Sequence, residues 1–150
     1  MGKIKINFYE KVKKTYHLNH LQKNRHKIIF NRGHKMCVWA NEVISNEIFI
    51  NGFYEKELLE LTMNFLKSKK VKLHDKIVLD IGGNIGNHSM FFSKIAEKVI
   101  AFEPEELNFK LLEINSILCS KNIICRNFGL SDKNEKKKLF LNSVNSGNLS

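Results

Sequence analysis

VLDIGGNIGNHS, residues 78–89, is an apolar run that stops at an acid and then turns into glycines and asparagines. A run of this kind reads as a buried strand, Lys76 to Ile81, that hands over through a tight turn to a helix, Asn87 to Ala96. The same alternation continues downstream. Lys98 to Phe102 reads as a strand, and Glu105 to Ser120 as a helix with Leu107, Leu111, Ile114 and Leu118 on one face. Asn122 to Asn127 reads as a third strand and Lys138 to Leu141 as a short further one. Strands alternating with helices of this length predict βαβ units, a mostly parallel sheet and an α/β fold.

Upstream, Leu58, Leu61, Thr62 and Phe65 recur at helical spacing between Tyr54 and Leu66. Glu55, Glu57 and Glu60 stand early and Lys67, Lys69 and Lys70 late, the charge order that a helix dipole favours. KIIF and KMCVW flank Asn31-Arg32-Gly33-His34 and predict a β-hairpin, and residues 3–22 carry a loose helical pattern. We divide the chain into a basic N-terminal extension, residues 1–46, and an α/β part, residues 47–150.

At 150 residues and 43% hydrophobic composition, the chain suits one ordinary core. It has no apolar run of membrane-spanning length and no signal-peptide core behind its first lysines, so the expected location is the cytoplasm. Cys37, Cys119 and Cys125 are odd in number and widely spaced, which argues for reduced, partly buried thiols over disulfides or zinc. His17 and His20 lack a third ligand, and no metal is expected. The net charge of +10 is concentrated early: residues 1–45 hold ten Lys or Arg against Glu10 and Glu42. That segment could attract a polyanion, but its lysines are scattered without interleaved aromatic platforms, so a solvated basic surface is the preferred reading.

In a parallel α/β sheet, ligands sit at the carboxyl ends of the strands. Gly82, Gly83 and Gly86 let the backbone come close to a ligand and take positive φ, and the helix start behind them favours an anion. A dinucleotide G-x-G-x-x-G starting at Gly82 would need glycine where Asn84 and Asn87 stand, and a phosphate-binding G-x-x-x-x-G-K-[ST] has no lysine after Gly86. D-x-G-x-x-x-G does fit, as Asp80, Gly82 and Gly86, with Glu103 ending the next strand in AFEP. An acid at that distance can accept both ribose hydroxyls, Asp80 suits an amino group, and the turn amides suit a carboxylate. Those three groups in one molecule describe S-adenosylmethionine.

The stretches VLDIGGNIGNHSMFFS, VIAFEPEELNFKLLEIN and NFGLSD together resemble the FkbM-type family of S-adenosylmethionine-dependent methyltransferases, and IFINGFYEKELLELTMNFLK resembles the helix that often precedes that family's first strand. The resemblance covers residues 47–150. It implies a Rossmann-like class I methyltransferase sheet of which the first three strands are present. It further implies that Asp80, Gly82, Gly83, Asn84 and Gly86 line the methionine end of the cofactor, that Glu103 holds the ribose, and that Asn127 and Phe128 flank the adenine. Asn115 matches a family asparagine. His88 is near the turn, where a histidine bonded to backbone is the simpler reading.

The family's acceptors are expected to be sugars of surface polysaccharide or lipopolysaccharide, or small molecules. An RNA methyltransferase is the alternative that the basic N-terminus favours, and a non-catalytic cofactor-binding fragment is the third. The family's later acidic strand segment is absent before the chain stops at NSVNSGNLS, so the expectation is the N-terminal part of a longer enzyme, with its general base beyond residue 150. Three strands alone would leave the first without its inner neighbour, with apolar edge and face exposed. The acceptor, the atom methylated and the oligomeric state are not readable from the sequence.

Overall fold

A computed structural model of the chain describes residues 12–13, 15–16, 19, 34–40, 42–119 and 122–139. Among these, the elements in chain order are α1 (Val43–Asn51), α2 (Lys56–Ser68), β1 (Ile77–Ile81), α3 (Asn87–Ser93), β2 (Lys98–Phe102), α4 (Glu106–Cys119) and β3 (Ile123–Arg126). The predicted alternation from residue 76 to 127 is therefore present, with α3 ending three residues before Ala96. The fold is α/β.

The strands form one parallel sheet in the order β1-β2-β3. The register pairs Leu79 with Ile100 and Asp80 with Ala101, then Ile100 with Ile124 and Ala101 with Cys125. Since side chains alternate across a strand, these pairs define two faces. One carries Val78, Asp80, Val99, Ala101, Ile123 and Cys125 and is covered by α3 and α4. On it Val99 and Ala101 are fully buried, and Ala101 packs with Phe109 and Leu112 of α4. The other carries Ile77, Leu79, Ile81, Ile100, Phe102 and Ile124, and all three β1 residues on it are exposed. Among the described strands β1 also lies at an edge, the position the sequence led us to expect for it.

The second cluster of buried residues joins Met36, Ile48 of α1, Ile85 of the glycine turn and Met90 of α3. The predicted helices α2 and α4 are both present, and their apolar stripes lie largely on exposed faces. On α4, Leu107, Ile114 and Leu118 are exposed, and the inward face is Asn108, Phe109, Leu112 and Asn115. On α2, Leu58, Leu61 and Phe65 are exposed and only Leu59 is buried.

The hairpin is also corrected. Residues 35–39 form no strand, and KIIF lies outside the described residues. The segment is fastened to α4 by side chains: Asn115 accepts from Cys37 N–H at 2.6 Å and donates to Cys37 C=O at 2.9 Å. One primary amide thus supplies both partners that a neighbouring strand would have supplied. Trp39 Nε1–H donates to Asn108 Oδ1 at 2.8 Å. Residues 134–139 also form no strand, and 140–141 lie outside the described residues, as does nearly all of the predicted 3–22 helix together with His17 and His20.

Candidate functional site at the strand ends

The carboxyl ends of β1 and β2 bring together the two acids singled out by the sequence. Asp80 lies one residue before the end of β1, on the covered face. Its Oδ2 accepts from Ser89 Oγ–H of α3 at 2.5 Å, and Ser89 is fully buried, so one carboxylate oxygen is pinned. Ser89 carried no signal of its own in the sequence, because a small hydroxyl on a helix reads as ordinary packing.

Behind Asp80 the turn takes positive φ at Gly82 (+80°), Asn84 (+48°) and Gly86 (+95°). A Cβ on Gly86 would come within 2.8 Å of Leu112 Cδ1, so a larger residue there would strain the backbone and displace the Leu112 side chain. A Cβ on Gly82 would meet nothing within 4 Å, which marks open space over the turn. Gly83 instead faces the protein, where a Cβ would sit 3.4 Å from Ala101 and 3.5 Å from Asp80 Oδ2.

The expected cradle of free turn amides is corrected, since every amide from 82 to 86 has an acceptor within the chain. Gly82 and Gly83 N–H both donate to Phe102 C=O at 2.9 Å, and Gly86 N–H donates to Gly83 C=O at 2.8 Å. Ile85 N–H donates to Asn84 Oδ1 at 2.7 Å, and Asn84 N–H to Glu103 Oε2 at 2.8 Å.

Glu103 is the residue on which the site closes. It follows β2, is 2% exposed, and its other oxygen, Oε1, accepts from Glu105 N–H at 2.8 Å. Burial raises its carboxyl above the ordinary range of a glutamate, and the two backbone amides pull the other way. Beside it, Glu105 caps α4 by accepting from Leu107 N–H at 3.1 Å and Asn108 N–H at 2.6 Å. Asn127, just past β3, donates from Nδ2 to Glu103 C=O at 2.9 Å. Phe128 is half exposed and meets Phe102 edge-on at 5.4 Å between centroids.

Two further asparagines frame the turn. Asn115 donates to Ile85 C=O at 2.7 Å as well as holding Cys37. Asn87 accepts from Tyr54 N–H at 2.9 Å and donates to Tyr54 C=O at 3.0 Å, tying the start of α3 to the segment before α2. Nothing in the sequence marked Asn87 beyond its exclusion of a dinucleotide motif. His88 Nε2 lies 3.5 Å from Glu55 Oε2. The three thiols form no disulfide and are partly buried, and burial pushes the Cys119 and Cys125 thiols up.

Among the described residues no group of three His, Cys, Asp or Glu could hold a metal ion, and no helix is long and apolar enough to cross a membrane. The class defined by the strands and their turn is α/β with a small parallel sheet, compatible with part of a Rossmann-like fold. No protein-family model matches the chain, and a search of curated proteins finds no significant relative.

Proposed function

We propose that this chain binds S-adenosylmethionine at the carboxyl ends of its strands and serves methyl transfer to a hydroxyl group, with a sugar or glycan as the acceptor. The observation that carries this reading is the convergence of two acids on one glycine turn, Asp80 before it and Glu103 bonded to it at Asn84. Asp80 Oδ1 suits an ammonium group. Glu103, an acceptor-only carboxylate one strand away, suits a vicinal diol. Phe128, half exposed past β3, offers a ring to a base. The space over Gly82 is where such a ligand would run.

The chemistry of the residues fits the ammonium and ribose portions of the cofactor. The turn amides, all engaged, leave its carboxylate to other donors. When bound, the cofactor supplies a methyl group already activated by a sulfonium charge. The chain's own residues then have to orient it, exclude water and align the acceptor. The sugar acceptor rests on the family resemblance alone.

A second reading, a chain that binds the cofactor weakly and without turnover, is favoured by one observation: both Glu103 oxygens already have partners. Titration calorimetry with S-adenosylmethionine on wild type, Asp80→Asn, Glu103→Ala and Phe128→Ala tests the main proposal. We expect wild type to bind and Glu103→Ala to lose about tenfold or more in affinity, the worth of one charge-assisted hydrogen bond. Equal affinity in all four proteins would sink the assignment.

A further inference from the structure

We infer that Glu103, held by two backbone amides, is a latch across the ribose end of the site that a ribose-bearing ligand has to open. This inference rests on the cofactor reading above and concerns how that site is entered. A carboxylate has about four lone-pair positions, so two bonds to amides do not exhaust its accepting capacity. Access is what it lacks. At 2% exposure, with Asn84 N–H on one oxygen and Glu105 N–H on the other, Glu103 cannot be reached by a diol while both bonds stand.

The geometry also identifies which part gives way. The turn is held to the end of β2 by three amides, and two of them, Gly82 and Gly83, share the backbone oxygen of Phe102. The third, Asn84 to Glu103, is made through a side chain and can be exchanged by rotating that side chain without disturbing the strand ladder. Asn84 itself sits at φ +48°, a conformation that asparagine tolerates better than most residues but that stores some strain. On the other side, α4 keeps its cap when Glu103 leaves, because Glu105 bonds Leu107 and Asn108 with its own carboxylate.

Opening therefore breaks two charge-assisted bonds and in return hydrates a buried carboxylate that burial disfavours in its charged form. The two amides it releases, at 84 and 105, then need new acceptors. Ribose hydroxyls can both donate to Glu103 and accept from these amides, so the exchange conserves hydrogen bonds. A ligand lacking the diol has nothing to offer in the exchange.

Amide hydrogen exchange and ¹⁵N-resolved spectra of the full chain test this, with S-adenosylmethionine, methylthioadenosine (ribose and base without the amino acid) and methionine (no ribose) as probes. In the free protein, Asn84 and Glu105 amides should be protected about tenfold more in wild type than in Glu103→Ala, the factor that corresponds to one ordinary hydrogen bond. If Glu103→Ala fails to fold, Glu103→Asp serves, since its shorter acid cannot span both amides. S-adenosylmethionine and methylthioadenosine should shift both resonances together, and methionine should move neither. Calorimetric binding of S-adenosylmethionine with both amides unmoved overturns the latch and leaves the cofactor reading standing. Absence of binding to wild type and to Glu103→Ala alike overturns both.

Discussion

The two faces of the sheet are built from almost the same residue types and have opposite fates. Val78, Val99, Ala101 and Ile123 lie under α3 and α4, while Ile77, Leu79 and Ile81 are left exposed. Composition does not separate them, because strands of parallel sheets read as continuous apolar runs on both sides. The connections do. Successive crossovers of one hand along a sheet whose order is β1-β2-β3 put both helices on one side. The candidate chemistry follows the helices: Asp80 is on the covered face and is oriented by Ser89 of α3. What differs between the faces is whether the described helices cover them, and this can be broken or sharpened by substitution.

The largest effect is expected at Leu112, fully buried against Ala101 and beside Gly86. Leu112→Ala should lower unfolding free energy by about 2–5 kcal/mol in urea denaturation, the range for a fully buried leucine. Asn115→Ala comes next. It strips partners from Cys37 N–H, Cys37 C=O and Ile85 C=O, and with roughly 1–3 kcal/mol for each buried group left unpaired a loss of about 3 kcal/mol is expected. Asn115→Asp should not restore it, since it returns the acceptor without the donors.

Glu103→Gln should cost less, about 1–3 kcal/mol, because its NH₂ replaces one of two acceptors and leaves one backbone amide unpaired. Its pH dependence has a definite sign. Burial raises the folded-state acid above its unfolded value, so Glu103's contribution is fully present below about pH 4.3 and is lost as pH rises through the raised folded value. Melting temperatures of the two proteins between pH 7 and pH 4 should show wild type gaining on the glutamine variant as pH falls. A gap that narrows on acidification would mean that Glu103 is stabilised in its charged form.

The smallest effect is expected on the open face. Leu79→Thr, at a position 56% exposed, should change stability by no more than about 0.5 kcal/mol. A loss approaching that of Leu112→Ala would mean that this face is covered in solution and that the contrast between the faces is smaller than it looks.

Much of the architecture was legible. Lys98–Phe102 coincides with the predicted strand, β1 starts one residue later than expected, and β3 is one residue shorter at each end. The faces of α4 and α2 were not legible. The stripe of Leu107, Leu111, Ile114 and Leu118 does not say which side is buried: Trp39 and Cys37 need polar partners, and Asn108 and Asn115 turn inward to supply them. α1 was missed because VISNEIFIN has no amphipathic stripe to announce it. At the site, Asp80, Gly82, Gly86 and Glu103 could be named because their spacing is local to one βαβ unit. Asn87 and Asn115 act on residues 33 and 78 positions away, and spacing carries no trace of such partners.

By itself the sequence determined that strands and helices alternate, that a glycine turn follows Asp80, and that a second acid ends the next strand. These are matters of period, φ and hydrogen-bonding type, which residues carry locally. Only the tertiary structure decided which face of the sheet is covered, that the turn amides are all engaged, and that Glu103 points inward to hold that turn. Each of these depends on packing and hydrogen bonds between separate elements, which local sequence does not encode.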